Sequence, residues 1–245
     1  MRTRVMGVVN VTPDSFSDGG RYFRPEEAIR RARNLIDDGA DIIDLGGEST
    51  RPGAEPIGWE EEWSRIEPVL KSLSGLNGLK SLNGSGGSGV RVSVDTYHPE
   101  TAARAVEAGA NIINCVYPEP VPEMLKLLEG NDVELVLPAS ARSAVDRALG
   151  GRIYLDPMIG FGTTREEDLA LLRSIPELAK EGRVLVGASR KRIVKKLTGS
   201  KMTGKDVGGN VGIAIWAALH GASVVRVHDV RETAQALRVV EALEG

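Results

Sequence analysis

Cysteine is almost missing from this 245-residue chain: Cys115 stands alone, which excludes an intrachain disulfide and fits a reducing compartment. Histidine is nearly as scarce, and His98, His220 and His228 are scattered, so a structural zinc site is not expected. Neither sign of charge is in excess. The 31 Lys and Arg against 34 Asp and Glu give a net charge of -3, which leaves no electrostatic footprint for nucleic acid. Any anion it binds must therefore be met by a few placed cations. Long apolar runs are lacking too. Met1-Arg2-Thr3-Arg4 leads straight into a short apolar stretch with no signal-peptide core, and no span is long enough to cross a bilayer. The expectation is a soluble, cytoplasmic protein with no membrane and no nucleic-acid partner.

What the chain does have, at 41% hydrophobic residues, is a recurring unit. Short β-branched runs without polar alternation occur at Val5 to Val9, Ile42 to Leu45, Val90 to Val94, Ile112-Ile113, Val133 to Leu137, Ile153 to Leu155, Val184 to Val186 and Val224 to Val227. Such runs suit strands covered on both faces. Most are followed by a helical pattern. Pro25 opens one with Ala28, Ile29, Ala32, Leu35 and Ile36, and Trp59, Trp63, Ile66, Val69, Leu70 and Leu73 form a second packing stripe. Thr164-Arg165-Glu166-Glu167 has the spacing of a capping box. The segment after the fifth run, about Ser140 to Leu149, is short and weakly patterned, and residues 74–89 turn into a flexible Gly/Ser-rich insertion before the third strand, native or a linker. About eight strand-helix units with no run of hairpins predict parallel strands. The best fit is a single-domain (β/α)8 TIM barrel over residues 1–245. A doubly wound open sheet is the alternative, but no Gly-x-Gly-x-x-Gly follows the first strand.

In such a barrel the C-terminal strand ends share one mouth, where active sites sit. Those ends read Asn10, Asp44, Asp95, Asn114, Asp156, Ser189 with Lys191, and Arg226 with His228. Carboxylates and amides suit a ligand edge rich in N–H groups; converging Arg, Lys and His, with Arg51, suit an anion. The implied ligand carries both. Each residue has a plainer reading: Asp44 can cap the Gly46-Gly47 loop, Asp95 and Asp156 can be helix N-caps, Asn114 can satisfy loop backbone, and one of Arg190 and Lys191 can be simply solvated. Arg226 lies within a β-branched run, where a guanidinium needs a partner or solvent. Of the loop from Asn10 to Gly20, Asn10 is the ligand candidate and Asp14 to Gly20 reads as a mobile lid.

These residues fall in motifs that run in order along nearly the whole chain: VVNVTPDSFSDGG from Val8, DIIDLGGESTRPGA from Asp41, VSVDT from Val92, DPMIGFG from Asp156, SRK from Ser189 and RVHDV from Arg226. In that combination the chain resembles the dihydropteroate synthases, pterin-binding barrel enzymes of folate synthesis. The resemblance implies condensation of 6-hydroxymethyl-7,8-dihydropterin diphosphate with 4-aminobenzoate to 7,8-dihydropteroate and diphosphate. It implies pterin binding by Asp95, Asn114, Asp156 and Lys191, and diphosphate binding by Asn10, Arg226 and His228. Mg²⁺ is the implied cofactor, held near Asn10. The aminobenzoate positions that match are Thr50, Arg51, Pro52, Phe161 and Ser189. The resemblance also implies catalysis by Asn10, Lys191, Arg226 and His228 through a dissociative loss of diphosphate, and a homodimer. The chain departs from the family pattern at Asn114-Cys115-Val116-Tyr117-Pro118, at Met158 where glycine is usual, and at Thr163 where lysine is usual. A related pterin-binding protein is the alternative: a corrinoid methyltransferase, a synthase for a modified arylamine, or a non-catalytic binder.

Overall fold

The computed structural model describes residues 2–12, 25–48, 55–74, 89–200 and 206–244. The lid residues Asp14 to Gly20, the positions Thr50, Arg51 and Pro52, and most of the Gly/Ser-rich insertion lie outside these. Eight parallel strands close into a barrel in chain order: β1 (Arg4–Asn10), β2 (Ile42–Gly46), β3 (Arg91–Asp95), β4 (Ile112–Asn114), β5 (Glu134–Pro138), β6 (Ile153–Asp156), β7 (Arg183–Val186) and β8 (Val224–Val227). The predicted runs are these strands to within a residue or two. Helices α1 (Pro25–Asp37), α2 (Trp59–Ser74), α3 (Pro99–Glu107) and α4 (Val121–Lys126) follow the first four strands. The gap between β6 and β7 holds α5 (Arg165–Arg173) and α6 (Ile175–Glu181). Between β7 and β8 lie α7 (Arg192–Thr198) and α8 (Val207–Leu219), and α9 (Val230–Glu244) follows β8. The predicted capping box is formed at α5, where the Thr164 and Glu167 side chains each accept the other's backbone N–H. The weakly patterned segment after β5 makes no α-helix; two 3₁₀ turns, Ala139–Ala144 and Arg147–Arg152, take its place.

Two-residue periodicity divides each strand between two cores. Ile43 and Leu45, Val92 and Val94, Ile153 and Leu155, and Val225 and Val227 face outward into the shell packed by the helices. Met6, Ile42, Ile112, Val136, Tyr154, Leu185 and Val224 fill the interior instead. Stepping two residues up from that inner layer reaches Asp44 from Ile42, Asn114 from Ile112, Asp156 from Tyr154, Gly187 from Leu185 and Arg226 from Val224. The polar mouth is thus the continuation of the apolar plug. Parallel register aligns Asn10 with Gly46, Gly46 with Asp95 and Asp95 with Asn114, which sets these four in one ring.

The opposite end of the barrel is closed by a polar cluster. Glu134 accepts from Arg91 and, at 2.6 Å, from Arg183 Nη1, while Tyr154 Oη donates to Glu134 Oε2 at 3.0 Å and accepts from Arg4 and Arg183. One carboxylate among three guanidiniums leaves Arg4 with its pKa lowered, chiefly by burial and further by its like-charged neighbours. This is the face at which a barrel's polar contacts serve stability.

Candidate active site

At the C-terminal mouth Arg226 is the centre of the charge arrangement. Its Nε donates to Asp44 Oδ2 at 2.6 Å and its Nη2 to Asp95 Oδ2 at 2.6 Å, so one planar guanidinium bridges β2, β3 and β8. Asp44 is fully buried and also meets Asn114 Nδ2 at 3.4 Å. It therefore anchors Arg226 inside the barrel and does not cap the Gly46-Gly47 loop. Asp44 Oδ1, Asn114 Oδ1 and Ser93 Oγ are buried with no hydrogen-bond partner among the described residues, acceptors that suit a ligand or water offering N–H or O–H groups.

Asp95, Asn114, Asp156, Phe161, Lys191 and Arg226, with Val116 and Gly187, line one pocket of about 60 Å³. Asp156 Oδ1 accepts the Met158 backbone N–H at 2.7 Å, and a side chain at Gly187 would reach Asp156 Oδ2 and Arg226 at 3.9 Å. Glycine there keeps the space between the two charges open. Lys191 Nζ donates to the Ile159 carbonyl at 2.6 Å and stands 4.1 Å from the centre of the Phe161 ring, a cation–π contact. Phe161, matched by resemblance to the aminobenzoate region, thus stands against the pterin-assigned lysine. Gly160 has φ +78°, and a Cβ there would lie 2.8 Å from Lys191 Cδ, so both backbone and space call for glycine.

Burial sets the protonation of these groups. It pushes Asp95 up to about 7 against the pull of Arg226, and the like charge of Asp44 adds to the rise. Desolvation likewise raises Asp156, with Lys191 opposing it, and lowers Lys191 to about 8. Arg226 is held firmly charged: its two carboxylate partners outweigh the desolvation that acts against it.

His228 faces a different space. It lines an outer cleft of about 310 Å³ with Arg31, Asp38, Arg190, Asp229 and the start of α9. Its Nδ1 lies 3.1 Å from Ser189 Oγ, and its carbonyl accepts Arg31 Nη2 at 3.2 Å. Burial first, then Arg190, Arg226 and Arg31, lower its pKa to about 4. His228 is therefore neutral at pH 7, a correction to its reading as one of the converging cations. Asn10 ends β1, and a Cβ built on Gly46 would lie 3.8 Å from its Oδ1 and 3.8 Å from Asp95 Cβ, so the two side chains flank Gly46.

Of the departures from the family pattern, Thr163 has a local task, and nothing in the structure explains Met158 or Cys115. Thr163 Oγ1 donates to the buried Asp168 at 2.5 Å and accepts the Gly160 N–H at 3.1 Å, shaping the turn that carries Phe161. Cys115 is buried in the outer core, its thiol pushed up to about 11 by desolvation. Met158 sits at φ +66°, the left-handed region in which glycine is unstrained.

A family model described as pterin binding enzyme matches residues 6–150 and 142–228. The dihydropteroate synthase of Neisseria meningitidis serogroup B is 39% identical, over 99% of this chain and 93% of that protein. The chain belongs to the dihydropteroate synthase family. The dihydropteroate synthase of Bacillus subtilis strain 168 is 36% identical over 99% of this chain and 89% of its own length. Among solved structures, dihydropteroate synthase of Xanthomonas albilineans with 4-aminobenzoic acid superposes with a TM-score of 0.86 at 37% identity, covering 100% of this chain and 94% of that one. The same enzyme with 7,8-dihydropteroate gives 0.81 at 34%, with the same coverage. As a member of the dihydropteroate synthase family, this chain is an enzyme of the transferase class.

Proposed function

We propose that the inner pocket holds the pterin of 6-hydroxymethyl-7,8-dihydropterin diphosphate and that the diphosphate extends from Arg226 toward His228, for condensation with 4-aminobenzoate to 7,8-dihydropteroate. The observation that carries this division is that Asp95, Asn114, Asp156 and Lys191 line one small pocket with Arg226 at its wall, while His228 opens on the larger cleft beside it. Asp156 and Asn114 offer acceptors to the N–H groups of the aminopyrimidinone edge, and Lys191 offers a donor to its carbonyl. Arg226 stabilises negative charge on the leaving diphosphate oxygen as the methylene–oxygen bond breaks, and the amine nitrogen of 4-aminobenzoate then bonds to that methylene carbon and gives up one N–H proton to solvent. The residues contribute positioning and electrostatics, with no covalent intermediate on the chain. Ser189 and Phe161, with Thr50, Arg51 and Pro52, take the aminobenzoate side. The test is diphosphate release with both substrates and Mg²⁺. Release that needs both 4-aminobenzoate and Mg²⁺ supports the reading; none under any condition sinks it.

Asn10 fits a magnesium ion. Its amide oxygen is a hard, neutral donor at the mouth of β1, across Gly46 from Asp95, and Mg²⁺ is commonly held by one or two protein oxygens together with substrate phosphates and water. When bound, the ion would neutralise charge on the departing diphosphate.

His228 gives a pH prediction. Its pKa of about 4 lies below the ordinary 6.5, so its stabilising contribution is present above pH 6.5 and lost as pH falls through 4. Burial depresses this pKa most, and a bound diphosphate offsets the arginine charges that depress it further. Binding of the diphosphate ester near pH 5.5 should therefore take up part of a proton at His228, seen as a buffer-dependent enthalpy in calorimetry and absent in His228→Gln. Equal uptake by both proteins would move the diphosphate away from this histidine.

The homodimer is proposed on α8, which carries no charged residue between Val207 and Leu219 and exposes Trp216 and Leu219 beside Val239 and Leu243 of α9. An apolar face of that kind fits a second copy of itself. Sedimentation should give twice the chain mass, and Trp216→Asp should give a monomer; a monomeric parent protein would refute it.

A further inference from the structure

We infer that Asn210, on α8 outside the barrel mouth, is a positioning residue that holds Arg190 in a left-handed backbone conformation and so aims Ser189 and Lys191 in their two directions. Arg190 has φ +60°; with Met158 it makes up the non-glycine residues at positive φ among those described. A side chain in that region is strained, and such strain persists only where the surroundings over-determine it. Here the surroundings are specific. The Arg190 backbone N–H donates to Asn210 Oδ1 at 3.0 Å, Asn210 Nδ2 donates to Asp229 Oδ2 at 2.9 Å, and Asp229 Oδ1 accepts Arg190 Nη2 at 2.9 Å.

These three bonds close a ring that ties the end of β7 to the end of β8 through α8. Asn210 is 3% exposed, which shelters its bonds from water. An amide serves because it accepts at one atom and donates at the other. An aspartate would set a carboxylate against Asp229 and lose the donor, while an alanine would leave the Arg190 N–H and Asp229 Oδ2 without that partner. The bend at Arg190 separates the two neighbouring side chains: Ser189 Oγ turns to His228 at the outer cleft, and Lys191 enters the inner pocket beside Asp156 and Phe161. The inference rests on the proposed roles of Ser189 and Lys191, and it adds a residue that touches neither substrate.

The test compares steady-state kinetics of Asn210→Ala, Arg190→Gly, their double variant and Lys191→Ala. Asn210→Ala should lose roughly 10- to 100-fold in kcat/KM, with KM raised for both the dihydropterin diphosphate and 4-aminobenzoate, as expected of misplaced contacts. Glycine adopts positive φ freely, so in the Arg190→Gly background, which also lacks that guanidinium in the outer cleft, Asn210→Ala should cost little further, and the greater part of its effect is recovered relative to Arg190→Gly alone. Recovery is the readout that a packing role would not give. A fully active Asn210→Ala overturns the inference, and so does a double variant that falls as far below Arg190→Gly as Asn210→Ala falls below the parent. If Asn210→Ala does not yield folded protein, Asn210→Ser with and without Arg190→Gly is read by the same rule. Should Lys191→Ala leave both KM values unchanged, the assignment of Lys191 to the pterin has failed; if it damages them while Asn210→Ala does not, only the positioning role has.

Discussion

Arg226→Ala is expected to destabilise the protein by about 3–5 kcal/mol, the usual cost of removing one partner from a buried ion pair. That is a large share of the roughly 5–15 kcal/mol that holds a typical domain folded. The reason lies in what remains. Asp44 is fully buried and Asp95 is held within hydrogen-bond reach of the same guanidinium, so its removal leaves two carboxylates without the cation that bridged them, with Lys191 as the weaker counter-charge to Asp95. Asp95, already raised to about 7, should rise further. The sign follows from linkage. A carboxyl raised above its ordinary 3.8 contributes stability that is full below 3.8 and lost as pH rises through the folded value. The variant should therefore be weakest at alkaline pH and partly recover in mild acid. Urea unfolding at pH 5.5 and pH 8.5 measures this, and a deficit of equal size at both values would show that Asp95 is not coupled to Arg226. Because Asp95 also lines the pterin pocket, affinity for pterin alone should fall together with affinity for the diphosphate ester. A residue whose only task was to hold diphosphate would spare the first.

The barrel was legible in the chain because each parallel strand is covered on both faces and must read as a short apolar run. The mouth was legible at the same places, since a polar residue just beyond such a run lies at a strand end. Asp44 shows the limit of reading strand by strand. Capping a glycine loop and facing a ligand are equally good local explanations; the inward position of Ile42 two residues earlier, together with Arg226 on the far side of the closure, decides for a third. Contacts between β8 and β2 depend on the barrel closing, which no local pattern encodes. The same holds for Glu134, Tyr154, Arg4, Arg91 and Arg183, five residues from five strands that look unrelated until their N-terminal ends converge. Asn210 was missed for another reason: it sits in an uncharged helix where an amide reads as a tolerated polar residue, and only the φ of Arg190 gives it a task. The charge of His228 was misread because a histidine beside arginines looks cationic in sequence, whereas burial and those same arginines strip its proton.

Asp156→Asn should separate binding from folding. The fold is expected to survive, because asparagine keeps the shape and an oxygen to accept the Met158 N–H, and because the change removes a carboxylate whose pKa burial has already raised. Affinity is another matter. With its oxygen turned toward Met158, the new amide presents N–H groups to a ligand edge that is itself a donor, so charge-assisted bonds give way to donor facing donor. At about 1.5–3 kcal/mol for each hydrogen bond to a charged group, losing one or two of them costs roughly 10- to 10⁴-fold in pterin affinity. Lys191 then provides an internal check. Asp156 is the neighbour that does most to keep that buried ammonium charged, so its loss should carry the lysine further below about 8 and weaken the remaining donor to the pterin as pH rises. Calorimetric titration with pterin at pH 6.5 and pH 8.5 should show a deficit that widens with pH, against an unfolding midpoint that holds or rises. A parallel fall in stability and affinity would make Asp156 a structural carboxylate, and an unchanged affinity would remove it from the pocket floor and leave Asn114 and Asp95 to read the pterin edge.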